Sequence, residues 1–420
     1  MKTNIHKNTV KSNFLIGQSV PNSNVKRIES ENPASRNTQC EKRKQVEIKV
    51  DKFSLTENYL NLYYDLKFNI VKNELEIKAK KSKEFKIFNE NNLYVELNKK
   101  GIKMSMNNLL ALMRSDFVKK DDPIEHYFNN LPGWDGRDYI SELANFIKTK
   151  DDHLFAYHLK KWLVRLVATA LDPLYFNKQI LVFVSQTQNN GKSTLSRFFC
   201  PPALKDYMAE NISLDKDSRI LMAKSILINM DELSTFSKDD INSLKAFFSK
   251  VQINERLPYD RKNTVLPRRC SFIGSTNQLE FLKDETGSAR WLCFEVNSID
   301  WRYSELVNID NIYSQAYSLY KSGSFDYEMT FDDIQENEKR NRQFYVSTIE
   351  KDLIEKYFEN DEQREPQNFY QATDVLGKLQ DLEKRKFNLN NVKVGKALTA
   401  IGFERIKYKE KYGYFLKIKY

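Results

Sequence analysis

Three groups of polar residues in the middle of the chain could carry out chemistry together, and the first is a phosphate-binding loop. Gly191, Lys192 and Ser193 follow the apolar run Ile180 to Val184 and precede a helix-like stretch. Between a strand and a helix, backbone N–H groups of such a loop cradle phosphate, the lysine neutralises the β- and γ-phosphates, and the hydroxyl binds magnesium. The sequence therefore predicts a site for ATP and Mg²⁺, with Gly191, Lys192, Ser193 and Thr194 as binding residues.

This loop departs from the common pattern G-x-x-x-x-G-K-[ST] at its first position. Gln186 stands where the pattern has glycine, so Gly191 is the only glycine in the loop. Asparagine tolerates left-handed backbone angles better than most residues do. We therefore expect Asn189 or Asn190 to help the loop turn.

The second and third groups follow two further apolar runs downstream. Asp231 and Glu232 end the run that begins at Ser225, and Asn277 ends the run that begins at Arg269. Buried parallel strands read as such continuous apolar runs, and their carboxyl ends share one edge of the sheet. We expect Asp231 to hold magnesium, Glu232 to deprotonate the attacking water, and Asn277 to bridge the γ-phosphate and that water. The structural alternative is a pair of acids that only cap a strand.

Composition limits the remaining possibilities. The 420 residues are enough for two or three domains, and the net charge of +10 favours polyanionic partners, although a generally lysine-rich proteome would give the same charge. The four cysteines form no CxxC pair, so neither a zinc site nor a disulfide framework is indicated. No apolar run is long enough to cross a bilayer and the N-terminus lacks a signal-peptide pattern, so we expect a cytoplasmic protein without membrane contact.

Patterning divides the chain into five parts. Alternation on both sides of Lys72 and Asn73 predicts a hairpin, with helices to follow and Gly101 between them, and residues 123–171 read as helical around a turn at Leu131 to Arg137. The expected parts are a flexible basic tail (1–50), a small α+β module (51–120), a helical region (121–172), an α/β core (173–345) and a C-terminal domain (346–420).

The stretch from about Asp122 to Val296 resembles the virulence-associated protein E family of phages and mobile genetic islands. It is also similar to the superfamily 3 helicases, a branch of the AAA+ ATPases. The motifs that carry this resemblance are Leu131 to Gly136, Gln188 to Thr194, Met230 to Leu233, Leu257 to Lys262, Gly274 to Asn277 and Gly287 to Trp291.

The resemblance implies a P-loop AAA+ core of superfamily 3 type that forms a homo-oligomeric ring, usually a hexamer, with ATP between subunits. Arg290 matches the family's arginine finger, which would reach a neighbour's γ-phosphate. The alternative is an ordinary surface arginine. A DNA-contacting hairpin is implied at Arg261, Lys262 and Asn263, ahead of the sensor strand.

The residues around that hairpin are themselves basic. Arg256, Arg261, Lys262, Arg268 and Arg269 lie close in sequence with Tyr259 among them. Such a cluster is typical of a surface that follows a nucleic-acid strand. A solvated basic loop is the alternative.

The C-terminal domain has the element order of a winged helix. Three helix-like stretches precede an alternating run, which predicts a hairpin with its turn at Lys411 to Gly413. The third stretch would present Lys393 and Lys396 to DNA, and the polar stretch Asp361 to Gln367 would join this domain to the core. Winged helices also bind other proteins, so the sequence leaves open whether this domain contacts DNA or a protein.

The sequence thus predicts a Mg²⁺-dependent ATPase that acts as a DNA helicase or translocase on a single strand or fork. We expect it to work with replication proteins of a phage or mobile element. Two alternatives remain open: an ATP-switched DNA-binding initiator, and a phage-defence AAA+ protein, both without unwinding activity.

Overall fold

The structure of this chain is a computed structural model, and residues 51–213, 215–235, 244–256, 262–282, 288–383 and 387–419 are described. The tail expected at residues 1–50 lies outside the described residues.

The first part of the described chain is a four-stranded sheet covered by helices. Its strands lie in the order β3-β2-β1-β4, and β1 and β2 form the predicted hairpin, in which Asn69 pairs with Glu74. Asn73 takes a left-handed φ of 57° in the turn. The elements are α1 (Lys52–Tyr63), β1 (Tyr64–Asn69), β2 (Glu74–Ala79), β3 (Lys86–Ile87), α2 (Glu90–Lys99), α3 (Met106–Met113) and β4 (Lys119–Asp121).

The next part is mainly helical, as the sequence predicts, but it contains one unpredicted strand. The elements are α4 (Pro123–Asn129), α5 (Tyr139–Ala144), β5 (Ile147–Thr149) and α6 (Asp152–Leu171). Strand β5 pairs antiparallel with a later strand, β12. Three residues are too few to show a period in the sequence, so only this distant pairing identifies β5 as a strand.

A largely parallel six-stranded sheet forms the centre of the protein, with strand order β5-β12-β6-β11-β8-β7. All neighbours from β12 to β7 are parallel, and only β5 at the edge is antiparallel. Strands β9 and β10 form a separate antiparallel hairpin. The elements are β6 (Ile180–Val184), α7 (Lys192–Phe198), β7 (Met208–Glu210), α8 (Lys216–Lys224), β8 (Leu227–Met230), α9 (residues 244–248), β9 (Gln252–Glu255), β10 (Thr264–Pro267), β11 (Ser271–Thr276) and β12 (Trp291–Ile299).

Both faces of this sheet are covered, which explains the continuous apolar runs of its strands. Every residue of β6 and β11 is buried. Alternate residues of β6 enter two different cores: Leu181 and Phe183 pack with Trp162 of α6, whereas Val182 and Val184 pack with Phe272. Burying each such side chain contributes about 1.5–3 kcal/mol.

Three helices follow the sheet: α10 (Tyr303–Leu306), α11 (Ile309–Ser322) and α12 (Phe331–Asn341). Helix α12 is fixed to the start of β12, because Asn337 and Asn341 both donate to the Trp291 carbonyl, at 3.0 and 2.7 Å. A buried ion pair of 2.8 Å between Lys161 and Asp333 joins α12 to α6.

The C-terminal part has the predicted three helices and hairpin. The elements are α13 (Ile349–Tyr357), β13 (Phe358–Asn360), β14 (Phe369–Tyr370), α14 (Ala372–Leu382), α15 (Asn391–Ile401), β15 (Ile406–Tyr408) and β16 (Lys411–Ile418). The predicted turn position is wrong, since Lys409 and Glu410 form the turn with φ values of 44° and 64°. Gly413 lies inside β16 instead, where an added Cβ would meet Phe369 at 2.6 Å, so this glycine permits close packing rather than a turn.

The predicted linker from Asp361 to Gln367 is also wrong, because it belongs to the C-terminal fold between β13 and β14. Asp361 is 1% exposed and pairs with Lys417 of β16 at 3.2 Å. Burial would raise the pKa of this carboxyl, but hydrogen bonds from Asn368 and the Glu365 amide, together with Lys417, lower it to about 2. The polar residues of this segment therefore supply hydrogen bonds to a buried carboxylate and do not form an exposed linker.

The chain is thus a mixed α/β protein with a parallel sheet. No helix in the described part is both long and apolar enough to cross a membrane.

Candidate functional site

The candidate site begins where three neighbouring parallel strands end. Strand β11 lies between β6 and β8, and its register pairs Thr276 with Val184 and Gly274 with Met230. The chain therefore leaves β6, β8 and β11 at one edge of the sheet. The predicted phosphate-binding loop, Asp231 and Asn277 all follow at that edge, as their positions in the sequence predict.

The loop after β6 turns without a glycine at position 186. Asn189 has a φ of 56° and Gly191 a φ of 89°, so two left-handed residues provide the turn. The expected role of asparagine thus falls to Asn189. Helix α7 begins at Lys192, and Gly191 is its N-cap.

Lys192 reaches from this helix into a ring of oxygen atoms. Its Nζ donates to the carbonyls of Ser185 and Thr187 at 3.3 and 3.1 Å, and to the side-chain oxygens of Asn190 and Asn277 at 2.9 and 2.8 Å. The residue is only 5% exposed. These oxygens occupy positions around the ammonium that phosphate oxygens can also take, so the site fits an anionic ligand.

The electrostatics of Lys192 favour such a ligand. Burial lowers the pKa of its ammonium, and the negative charge of Asp231 opposes that shift. A buried ammonium that has lost water gains most from a nearby anion.

Asp231 is held in one orientation by its neighbours. The Ser275 hydroxyl donates to Asp231 Oδ1, and the Glu232 amide donates to the same oxygen at 3.1 Å. The amide of Asp231 donates to Asn211 Oδ1 at 3.2 Å. Ser275 and Asn211 were not predicted. Ser275 lies near the end of the buried strand β11, so the signal that identified Asp231 could have found it, whereas Asn211 follows the partly exposed strand β7.

Glu232 sits in a strained backbone conformation. Its φ is 53° and it is exposed. Left-handed angles at a residue other than glycine cost on the order of 1 kcal/mol and concentrate at functional sites. The exposed carboxylate can therefore contact water or a bound ligand at this edge of the sheet.

These side chains line one cavity of about 540 Å³. All the predicted nucleotide-binding and metal-binding residues lie there, as do Glu232 and Asn277. The lining consists of Gln188, Asn189, Asn190, Gly191, Lys192, Ser193, Thr194, Asp231, Glu232, Ser275, Thr276, Asn277 and Trp301. Trp301 is the largest member, and no local signal in the sequence predicts its place in the cavity.

The donor set for a metal is small. Among the described residues no group of three or more His, Cys, Asp or Glu side chains could hold a metal ion. A magnesium ion in this cavity could use Ser193 and Asp231 together with phosphate oxygens and water, a combination that magnesium commonly adopts beside nucleotides.

The segment that carries this cavity matches a known family. Residues 128–346 match the family described as the virulence-associated protein E-like domain, and this segment is more than half of the chain. The chain belongs to this family. Every residue that lines the 540 Å³ cavity lies within the virulence-associated protein E-like segment.

Solved structures similar to the chain are forms of the NrS-1 C-terminal region. The A form of its apo structure, spanning residues 305–718, has a TM-score of 0.47 at 12% identity and covers 87% of this chain and 99% of that one. A second apo structure has a TM-score of 0.46 at 12% identity, with 88% and 100% covered. A further A form gives 0.44 at 14% identity, with 73% and 78% covered. No curated protein matches the chain.

Arg290 of the virulence-associated protein E-like segment lies at the opposite edge of the sheet from the cavity. It directly precedes Trp291, which pairs with Ile180 at the start of β6. Lys192 follows the other end of β6, whose five residues span roughly 17 Å. The Arg290 guanidinium therefore belongs to a different surface from Lys192. There its Nε donates to Ser249 Oγ at 3.1 Å.

The predicted DNA-contacting hairpin coincides with β9 and β10, whose register pairs Thr264 with Glu255. Lys262 and Asn263 are exposed directly before β10. Arg261 and Tyr259 lie outside the described residues.

Two members of the predicted basic cluster are structural, so that part of the prediction is wrong. Arg268 is fully buried and donates to the carbonyls of Phe248, Asn177 and Cys270 at 2.6, 2.9 and 3.0 Å. Arg269 is bound to Asp122 at 2.7 Å. A guanidinium has five N–H donors and can bind several backbone carbonyls at once, as that of Arg268 does.

The two C-terminal lysines are both exposed on α15, outside the family segment. Lys396 lines a cleft of about 860 Å³ between α15 and the end of α12. Arg342, Lys351 and Arg405 line the same cleft together with Glu338, so its charge is mainly positive.

Proposed function

We propose that this chain is a Mg²⁺-dependent ATPase that translocates along or unwinds DNA in the replication of a phage or mobile element. The observation that carries the proposal is the meeting of Lys192, Asp231, Glu232 and Asn277 in one cavity at the ends of three adjacent parallel strands. Membership of the virulence-associated protein E-like family is consistent with it.

The proposed chemistry assigns one task to each side chain. Lys192 binds the β- and γ-phosphates, and Glu232 accepts the proton of the attacking water. Asn277 already hydrogen-bonds Lys192 at 2.8 Å, so it is within reach of the same phosphate and can orient the water. Magnesium, held by Ser193 and Asp231, would neutralise the charge of the phosphates.

The proposal includes a P-loop AAA+ core of superfamily 3 type. Its support is the strand order, in which β11 separates the loop strand β6 from the acidic strand β8. That order puts Asn277 between Lys192 on one side and Asp231 on the other. The three helices and hairpin of residues 346–420 similarly support a winged-helix-like domain.

A ring is proposed from the position of Arg290. Because this residue lies at the sheet edge away from its own cavity, it can act on a phosphate only in a neighbouring subunit. A homo-oligomer, for which we propose a hexamer, would place one subunit's Arg290 at the next subunit's cavity.

DNA contact is proposed at two separate surfaces. Lys262 and Asn263 lie at the exposed end of a hairpin that leads into the sensor strand β11, so their position can respond to the nucleotide. Lys393 and Lys396 lie on α15 of the C-terminal domain and would hold the duplex.

The test compares ATP hydrolysis, duplex binding and fork unwinding in matched variants. Lys262→Ala should keep duplex affinity but lose unwinding and DNA stimulation, whereas the exposed Lys216→Ala control should change neither. The double variant Lys393→Ala with Lys396→Ala should weaken duplex binding and reduce the salt slope by about one per lost phosphate contact, and Lys378→Ala on α14 should not. ATP hydrolysis that DNA does not stimulate would refute the DNA motor, and stimulation without strand displacement would identify an ATP-switched initiator.

A further inference from the structure

Trp301 is an unusual member of the cavity lining because it is half exposed. Of the four tryptophans, Trp162 and Trp291 are 0% and 2% exposed, whereas Trp301 is 50% exposed. A large aromatic ring left open at a polar cavity gains little from the core. At the lining of a cavity, such a ring offers a flat face on which a planar ligand can stack.

The ring is held in place by its neighbours in sequence. The Asp300 amide donates to the Phe146 carbonyl at 2.8 Å. Tyr303 is 1% exposed and packs edge-on against Phe198 of α7, with ring centroids 4.9 Å apart. Trp301 is therefore fixed between two anchored residues, and Tyr303 contacts the same helix, α7, that starts at Lys192.

The indole lies directly against that loop. A Cβ added to Gly191 would be 2.6 Å from two atoms of the Trp301 ring, Cζ2 and Cη2. Only glycine at this position lets the ring approach so closely. The same tryptophan lines the cavity and is half exposed, so part of it is open to a ligand there.

The order of strands places the ring at one end of the site. Trp301 follows β12, and the next strands along the edge are β6 with the loop, β11 with Asn277 and β8 with Asp231. Two strands, β6 and β11, lie between β12 and β8, so Trp301 and Asp231 reach the cavity from strands on opposite sides of the loop that carries Lys192. An extended nucleoside triphosphate fits this arrangement, with its terminal phosphates at the acidic end and its base at the indole.

We propose that Trp301 is the nucleobase platform of this cavity and makes it selective for purine nucleoside triphosphates. This inference rests on the proposed function, because it requires the triphosphate to bind beside Lys192. Stacking between a base and an aromatic ring depends on overlap area, so purines gain more than pyrimidines. It distinguishes adenine from guanine only weakly, because every base offers a π-face.

The test separates the base from the phosphates. Mg²⁺ complexes of ATP, GTP, CTP and inorganic tripolyphosphate are titrated calorimetrically into the wild-type chain, Trp301→Ala, Trp301→Phe and the distant control Trp134→Phe. Trp301→Ala should weaken ATP and GTP binding about tenfold or more and leave tripolyphosphate binding unchanged. Trp301→Phe should lie between, and the preference for ATP over CTP should disappear in Trp301→Ala.

Each other outcome has a distinct meaning. Equal losses for ATP and tripolyphosphate would overturn the platform and make Trp301 a support for the loop. Unchanged ATP binding in Trp301→Ala would overturn it as well. If the wild-type chain binds neither ATP nor tripolyphosphate, or if Lys192→Ala binds both as well as wild type, the proposed function itself fails.

Discussion

Replacing Gly191 with alanine should destabilise the protein through two separable effects. At a φ of 89°, alanine pays about 1–2 kcal/mol for a left-handed conformation. The new Cβ would also lie 2.6 Å from the Trp301 ring, where non-bonded carbons normally stay about 3.5–4.0 Å apart. Moving the ring by about 1 Å costs about 1–3 kcal/mol, as in other overpacked sites. The expected total is about 2–5 kcal/mol in the free energy of unfolding.

A double-mutant cycle in urea distinguishes the two effects. Trp301→Ala added to Gly191→Ala should recover the overpacking part, about 1–3 kcal/mol, but not the cost of the backbone conformation. Gly133→Ala is the matched control, because a Cβ at Gly133 meets nothing within 4 Å and should change stability by less than about 0.5 kcal/mol. A Gly191→Ala variant as stable as wild type, or one that Trp301→Ala does not rescue, would refute the reasoning about the loop.

Three further predictions concern the base, the neighbouring subunit and pH. Glu232→Gln should bind ATP and magnesium but not hydrolyse ATP, because an amide cannot accept the proton of water; turnover within a few-fold of wild type would assign the base elsewhere. Arg290→Ala should bind nucleotide normally and hydrolyse it roughly 10³-fold more slowly, and mixing it with Lys192→Ala subunits should restore activity in co-assembled rings. Burial, with the positive charge of Arg340 nearby, lowers the pKa of His158 from 6.5 to about 3. Since the unfolded chain then binds the proton first, stability is full above pH 6.5 and falls below it, by about 2 kcal/mol at pH 5. Urea unfolding at pH 7.5 and 5.0 measures this loss, which His158→Phe should largely remove.

The sequence predicts the parts of the site that depend on single strands and their ends. Continuous apolar runs identify β6, β8 and β11 because both of their faces are buried. The polar residues that end those runs must then meet at one edge of the sheet, which is how Lys192, Asp231 and Asn277 could be grouped. The use of Asn189 in the turn follows from backbone sterics alone.

The parts that were missed depend on which elements become neighbours. Trp301 enters the cavity because β12 lies next to β6, and nothing in the local sequence specifies that order. Ser275 lies beside Asp231 for the same kind of reason.

The wrongly assigned charged residues were also missed because their surroundings depend on the tertiary fold. The sequence pattern predicts that Arg268 is an exposed basic residue, but its guanidinium donates to buried backbone carbonyls. The polar sequence around Asp361 predicts a linker, but in the fold Asp361 pairs with Lys417 of β16. A charge pattern in the sequence gives the sign of a side chain, but only the tertiary fold decides whether that charge faces water or a buried partner.

The central claim is that Lys192 binds the phosphates of an ATP molecule that the chain hydrolyses. The direct measurement is the rate of phosphate release from ATP by the wild-type chain and by Lys192→Ala, with and without magnesium, beside the exposed control Lys205→Ala. We predict magnesium-dependent turnover in the wild type and in the control, and no turnover with weakened ATP binding in Lys192→Ala. Equal turnover in Lys192→Ala and wild type, or no hydrolysis by the wild-type chain with DNA present, would contradict the account.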